Sequence, residues 1–472
     1  MSDRLEVDHV KVTHHGTVLV ETGGLVLEPG TAVTVIGESG SGKSLLAHSL
    51  LGTLPPELAV TGAMRLDGDP FDLADPDSRR HLWGRELALL PQEPALALDP
   101  TMRVRRQVAG GLWKAPAAVA RRRAMTALDE VGLAGAAESY PHTLSGGMAQ
   151  RVAYAAATIG GARVLIVDEP SKGLDAAALD RLAALLQAHL AGGGLLLTIT
   201  HDLGLARRLG GQVWVMREAE VVERGPVDQV LDAPSHPYTR RLLAADPSRW
   251  DWVPAAPTAG EPLVTATAVS KAYPGRPLFH DLSLQIRAGE RWALTGPSGV
   301  GKTTLGNALA GLCTVDAGTI TRTEALRRPR LQKLYQDPAL SFPARVPLRA
   351  GLSDLVRRHR VDGARISTLA GSLGLDEALL DRRSSQVSGG ELQRVAILRA
   401  MLVEPALIFA DEATSRLDLL TQEGTLRCLM EEADPGCALL LVTHDQSVAR
   451  ALTDNRLELG EIAEPATSGV RG

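Results

Sequence analysis

Cysteine is scarce in this chain: three residues in 472, Cys313, Cys428 and Cys437, all in the second half and without metal-ligand spacing. A disulfide scaffold is thereby excluded, and reduced, partly buried thiols are expected. Long hydrophobic runs are lacking too. No stretch approaches the roughly 18–20 apolar residues that a membrane-spanning helix requires, so any membrane role is expected to come through a partner. Met1-Ser2-Asp3-Arg4-Leu5-Glu6 has no apolar segment of the kind a secretory signal carries. Nor is there an excess of one charge. The formal net charge is −5, with acids and bases interspersed, which argues against a nucleic-acid binder with its basic face. The length suits two or three domains, each with its own core.

What the chain does have is an ordered set of motifs, present twice. Gly37-Glu38-Ser39-Gly40-Ser41-Gly42-Lys43-Ser44 is answered by Gly296-Pro297-Ser298-Gly299-Val300-Gly301-Lys302-Thr303. Leu144-Ser145-Gly146-Gly147 is answered by Val387-Ser388-Gly389-Gly390, Val167-Asp168-Glu169 by Ala410-Asp411-Glu412, and Thr200-His201-Asp202 by Thr443-His444-Asp445. Lys43 and Lys302 stand 259 positions apart, whereas the serine, aspartate and histidine pairs stand 243 apart. One deletion of about sixteen residues in the second copy, near 320–330, explains the whole offset. Chance matches would not keep that register.

The runs Ala32-Val33-Thr34-Val35-Ile36, Val164-Leu165-Ile166-Val167 and Leu195-Leu196-Leu197-Thr198-Ile199 read as parallel strands buried on both faces. Helical spacing over 176–190 between the last two gives a doubly wound α/β core. Residues 93–160 lack strand signals and read as an inserted helical subdomain. Trp292-Ala293-Leu294, Leu407-Ile408-Phe409 and Leu439-Leu440-Leu441-Val442 repeat the plan. Domains are expected over 1–245 and 263–472, with the Pro- and Ala-rich stretch 246–262 as a semi-extended tether.

Each motif suits one part of phosphoryl chemistry. Glycine-rich loops let consecutive backbone N–H groups turn onto a β-phosphate. Lys43 and Lys302 would add charge at the β/γ oxygens, and Ser44 and Thr303 a hydroxyl for Mg²⁺. Asp168 and Asp411 end buried strands, where a carboxylate can hold the metal through water. Glu169 and Glu412 suit the general base that orients attacking water, with His201 and His444 at the γ-phosphate. Ser145-Gly146-Gly147 and Ser388-Gly389-Gly390 leave a helix N-terminus open to an anion.

With these residues in place the chain resembles a tandem ATP-binding-cassette ATPase over nearly its whole length. The resemblance implies two P-loop NTPase domains, α/β in class. Each would have a mainly parallel core, an antiparallel β edge and an inserted helical subdomain, the two arranged head to tail around ATP. It identifies Gln92 and Gln336 with the glutamine that links the metal site to the helical subdomain, making both candidates for the metal's surroundings. It likewise identifies Asp175 and Asp418 with the D-loop aspartate. Tyr273 falls at the adenine-stacking position, where the first copy has His14, again 259 positions away. Lys172 and Arg416 are unusual D-loop residues. Segments 92–100 and 336–341, Tyr140-Pro141-His142 and the tail Ala233-Pro234-Ser235-His236-Pro237-Tyr238-Thr239-Arg240 are similar to those of peptide and nickel importer ATPases. No cysteine-rich extension occurs, so no iron–sulfur cluster is expected. The resemblance implies ATP and Mg²⁺ as ligands, two transmembrane permease subunits as partners, and through them an extracytoplasmic solute-binding protein. The expected location is the cytoplasmic face of the membrane, and the expected cargo a peptide, nickel or a metal-chelating, opine-like solute. A ribosome- or DNA-associated tandem cassette and a fused sugar-importer ATPase remain as alternatives.

Overall fold

The structure is a computed structural model and describes residues 4–255, 257–273, 276–327, 329–415 and 417–460. The chain divides into two compact units, separated between Ala244 and Ala245.

The first unit is built on ten strands: β1 (Leu5–His14), β2 (Thr17–Leu27), β3 (Ala32–Gly37), β4 (Ala59–Leu66), β5 (Asp69–Asp72), β6 (Leu87–Leu90), β7 (Val164–Asp168), β8 (Leu195–Ile199), β9 (Gln212–Arg217) and β10 (Glu220–Pro226). They form one sheet in the order β5-β4-β1-β2-β10-β9-β3-β8-β7-β6. Its β9-β3-β8-β7-β6 half is parallel throughout. Every residue of β3, β7 and β8 is buried, which is why these strands read as continuous apolar runs rather than alternating ones. The other half pairs antiparallel through β1, β2, β4 and β5.

The second unit repeats this plan with β11 (Pro262–Tyr273), β12 (Arg276–Arg287), β13 (Arg291–Thr295), β14 (Ala317–Arg322), β15 (Leu331–Leu334), β16 (Leu407–Asp411), β17 (Ala438–Val442) and β18 (Asn455–Glu458). Its parallel sheet runs β15-β16-β17-β13-β18, the same order as β6-β7-β8-β3-β9, and β12-β11-β14 forms the antiparallel part. The offset expected from the sequence falls between β14 and β15. There the first unit spends residues on β5 and the 3-10 turn Pro76–Leu82, and the second has only the turn Glu324–Leu326.

Helices fill the interval before β7 and before β16, as the lack of strand signals predicts. In the first unit Val104–Gly110, Ala117–Glu130 and Gly146–Thr158 close around Val108, Ala124, Leu128 and Val152. In the second, Leu348–His359, Arg365–Ser372 and Gly389–Met401 close around Leu352, Leu369 and Val395.

The stretch expected to be a tether is anchored over its first half. Trp250 donates from Nε1 to the Ala245 carbonyl at 3.0 Å and lies against Trp252. Both rings, with Val253, pack on the second unit's core. Arg427 sits 4.8 Å over the Trp252 ring, and Arg291 donates to the Pro254 carbonyl at 2.7 Å. Two tryptophans outweigh the local Pro and Ala composition because each buries a large apolar face. Among the described residues, no helix is long and apolar enough to cross a membrane.

Candidate nucleotide sites

Both glycine loops leave the C-terminal end of a buried parallel strand, where α/β sheets place their ligands. Gly37 has φ 150° and Gly296 φ 129°. A Cβ on Gly37 would lie 2.2 Å from the Met216 carbonyl oxygen, and one on Gly296 2.1 Å from that of Leu459. Only glycine fits, because backbone closes over the loop on that side. Each loop then opens a helix, Lys43–Leu51 or Lys302–Leu309. Lys43 donates from Nζ to the carbonyls of Gly37 and Glu38 at 2.8 and 2.6 Å. Lys302 donates to those of Gly296 and Pro297 at 2.8 and 2.7 Å. Ser39, Gly40 and Gly42, like Ser298, Gly299 and Gly301, lie within these turns.

The next residue reaches across to the strand-end aspartate. Ser44 donates from Oγ to Asp168 Oδ1 at 3.0 Å, and Thr303 from Oγ1 to Asp411 Oδ1 at 2.7 Å. A hydroxyl beside a carboxylate is an all-oxygen donor set that fits a hard divalent cation such as Mg²⁺. Burial lifts the Asp168 pKa above the usual carboxylate range, against the pull of the Ser44 hydroxyl. Asp411 has a further partner: Lys333 Nζ stands 2.9 Å from its Oδ2.

Glu169 and Glu412 follow directly, with φ 46° and 50°. That left-handed backbone is strained for a non-glycine residue, and both units hold it at the same place. In each unit the carboxylate faces the histidine that follows the next strand. His201 Nδ1 lies 2.7 Å from Glu169 Oε2, and His444 Nδ1 3.6 Å from Glu412 Oε2. Burial works to raise the Glu169 pKa, but the hydrogen bond and charge of His201 bring it below its ordinary value. His201 moves the other way: burial would lower its pKa, and Glu169 raises it above the ordinary imidazole value. Glu412 is likewise lowered, its burial outweighed by His444. Gln336 joins this group by donating from Nε2 to Glu412 Oε2 at 3.0 Å. Gln92, half-buried, stands at the equivalent exit from β6.

The signature residues are placed by helix capping. Ser145 accepts from Met148 N at 3.4 Å and starts the helix Gly146–Thr158. Ser388 accepts from Glu391 N at 3.3 Å and starts Gly389–Met401. Both serines and the first glycine of each pair are exposed, with Gly147 and Gly390 half-buried. The Glu391 carboxylate turns back onto Ser388, accepting from its N and Oγ at 2.8 Å each, a capping box the first copy lacks because Met148 stands there. Asp175 and Asp418 are N-caps as well, accepting from Ala178 N at 2.8 Å and Thr421 N at 3.0 Å. His14 and Tyr273 are exposed at the ends of equivalent strands, β1 and β11. Arg416 lies outside the described residues.

Two contacts were not legible in the motifs. Tyr238, in the tail segment, accepts through Oη from the backbone N of Glu38 at 3.2 Å. Two hundred positions separate them, so no local pattern announces the pair. The second loop has Pro297 at that point, which has no N–H to satisfy. The other is Lys333, which in sequence is an ordinary strand lysine.

A family model described as ABC transporter matches residues 22–172 and 279–415. The chain is 33% identical to the peptidoglycan transport ATP-binding protein YejF of Agrobacterium fabrum, across 95% of this chain and 89% of that one. It is 31% identical to the glutathione import ATP-binding protein GsiA of Escherichia coli K12, across 93% and 81%. The fold matches that of a solved RNase-L inhibitor with a TM-score of 0.65 at 23% identity, over 95% of this chain and 87% of that one. This protein belongs to the ABC transporter family. It carries two ABC-type P-loop NTPase domains, and it is an ATP-binding ATP hydrolase.

Proposed function

We propose that the chain is the energising ATPase of an importer for short, peptide-like solutes. It would sit at the cytoplasmic membrane face on two permease subunits fed by a solute-binding protein. The carrying observation is the doubled constellation of Lys43, Ser44, Asp168, Glu169 and His201 with Lys302, Thr303, Asp411, Glu412 and His444. In this reading the loop N–H groups and lysines bind the β- and γ-phosphates. Ser44 with Asp168, and Thr303 with Asp411, would hold Mg²⁺, with Gln92 and Gln336 bordering it. The metal supplies positive charge against the phosphate oxygens. Glu169 and Glu412 orient the attacking water and take its proton, and the lowered pKa of each keeps the carboxylate ionised at neutral pH. His201 and His444 fix those carboxylates and contact the γ-phosphate. Ser145-Gly146-Gly147 and Ser388-Gly389-Gly390 offer open helix ends to phosphate, and Tyr273 a ring to adenine.

The cargo class rests on the two named relatives, ATP-binding proteins of peptidoglycan transport and glutathione import; a nickel or metal-chelate cargo has less support. The likeness to an RNase-L inhibitor speaks for the fold alone. Docking on permeases is supported by Leu96 and Leu340. They follow Gln92 and Gln336 and are 80% and 70% exposed, among the most exposed large apolar side chains of the described residues. Leu96→Asp with Leu340→Asp should abolish co-purification with the permease pair and leave ATP binding by the isolated chain unchanged. Undiminished co-purification would remove the docking assignment.

A further inference from the structure

Around the two metal-facing aspartates the units differ in the cation at hand: Asp168 has the His48 imidazole within electrostatic reach, whereas Asp411 has a lysine in direct contact. The strand beside β7 is β6, and Leu89 stands opposite Ile166. The strand beside β16 is β15, and Lys333 stands opposite Phe409 in the same register. The lysine is held rather than loose. Its Nζ lies 2.9 Å from Asp411 Oδ2, donates to Asn307 Oδ1 at 2.8 Å, and faces the rings of Phe409 at 4.7 Å and Tyr335 at 4.9 Å. Its side chain is only 10% exposed and that of Asp411 11%. At the position equivalent to Asn307 the first unit has His48, which is bonded to Thr53 Oγ1 at 2.7 Å. Asp411 therefore has a hydroxyl on one oxygen and an ammonium on the other, while the fixed cation of the second has no counterpart on β6.

We infer that Lys333 is a built-in counter-cation of Asp411 that makes the second nucleotide site the weaker divalent-metal site of the chain and so the slower hydrolytic one. This rests on the reading of Asp168 and Asp411 as the carboxylates that hold the metal. The physical reason is direct. A divalent cation beside Thr303 and Asp411 must share the carboxylate with an ammonium a few ångströms away, in a socket where water screens poorly. Two aromatic faces and an amide oxygen keep the lysine from swinging out. Lys302 cannot substitute for it, being folded onto the loop carbonyls. Lys333 is a positioning residue: it acts on the metal through Asp411.

The test is Mn²⁺ binding to the full chain saturated with a non-hydrolysable ATP analogue, read by electron paramagnetic resonance. The unaltered chain should show two classes of Mn²⁺ site differing by about tenfold in affinity, the size expected of one partly screened like charge. Asp411→Asn should remove the weaker class, assigning it to the second site. Lys333→Leu, which installs the first unit's side chain, should tighten that class until the two merge. Lys333→Gln should do the same if the leucine variant does not fold. Should Asp411→Asn remove the weaker class while neither Lys333 variant tightens it, the counter-cation role is overturned and the metal reading stands. If the unaltered chain shows a single class, the inference fails outright. If Asp411→Asn leaves both classes intact, the metal reading fails and takes the inference with it.

Discussion

The two nucleotide sites share a scaffold and differ in what surrounds it. Strand order, glycine loop, hydroxyl-to-carboxylate bond and strained glutamate are the same in both units. Beyond them, the first site has a tyrosine bonded to its loop and a histidine tight against its glutamate. The second has a proline in the loop, a longer histidine contact, a glutamine on the glutamate and a lysine on the aspartate. The lesson concerns what the fold enforces. Where a Cβ would meet backbone at 2.2 Å, no substitution is tolerated, so the loop is kept in both copies. Where a side chain merely lines the socket, as at Leu89 and Lys333, the fold survives either residue. Such positions are free to set the two sites apart.

The comparison breaks most completely if the shared scaffold is not the engine. Lys43→Ala together with Lys302→Ala removes the ammonium proposed to bind phosphate from both loops, and steady-state ATPase activity should fall to background; undiminished turnover would end the account. A smaller effect isolates the first loop. Tyr238→Phe leaves Glu38 N without its acceptor, a loss of about 1 kcal/mol, or roughly fivefold. Fluorescent-nucleotide titration should show weaker ATP binding at one of two sites. Equal weakening at both would mean that Tyr238 acts on the whole fold.

The smallest effect concerns the segment that carries this tyrosine. Partial burial disfavours the charged form of Glu223. The Thr239 hydroxyl, together with hydrogen bonds from Ser235 N at 2.7 Å, Ser235 Oγ at 2.8 Å and His236 N at 3.1 Å, outweighs that and holds its carboxyl at about 2. A folded pKa below the unfolded one stabilises above the unfolded value, and that contribution is lost as pH falls toward 2. Glu223→Gln should therefore lower Tm slightly at neutral pH and flatten its decline between about pH 4.5 and 2. An unchanged pH profile would show that the carboxylate does not anchor the tail.

Much of this was legible in the sequence, for physical reasons. The loops were, because a phosphate cradle needs glycine at fixed spacing. The parallel strands were, because burial on both faces leaves no polar alternation. The deletion was, because a repeat that shifts once must have lost one segment, here the counterpart of β5. The anchored tether was not: Trp250 and Trp252 sit among prolines and alanines, and only the core they pack on reveals them as packing residues. Lys333 was not either, since a lysine in a strand reads as a solvated residue until its neighbours are known. The Tyr238 bond depends on a fold that brings the last helix of the first unit back to its glycine loop.

The central claim is that both sites hydrolyse ATP and that the first is the faster. Single-turnover hydrolysis of ATP at limiting Mg²⁺, where metal affinity governs each site, tests it in two variants, Glu169→Gln and Glu412→Gln, each of which should slow its own site by about 10²–10⁴. The account predicts that both variants keep a fast phase, with the larger rate remaining when Glu412 is the residue replaced. Equal residual rates, or a larger one when Glu169 is replaced, would contradict it.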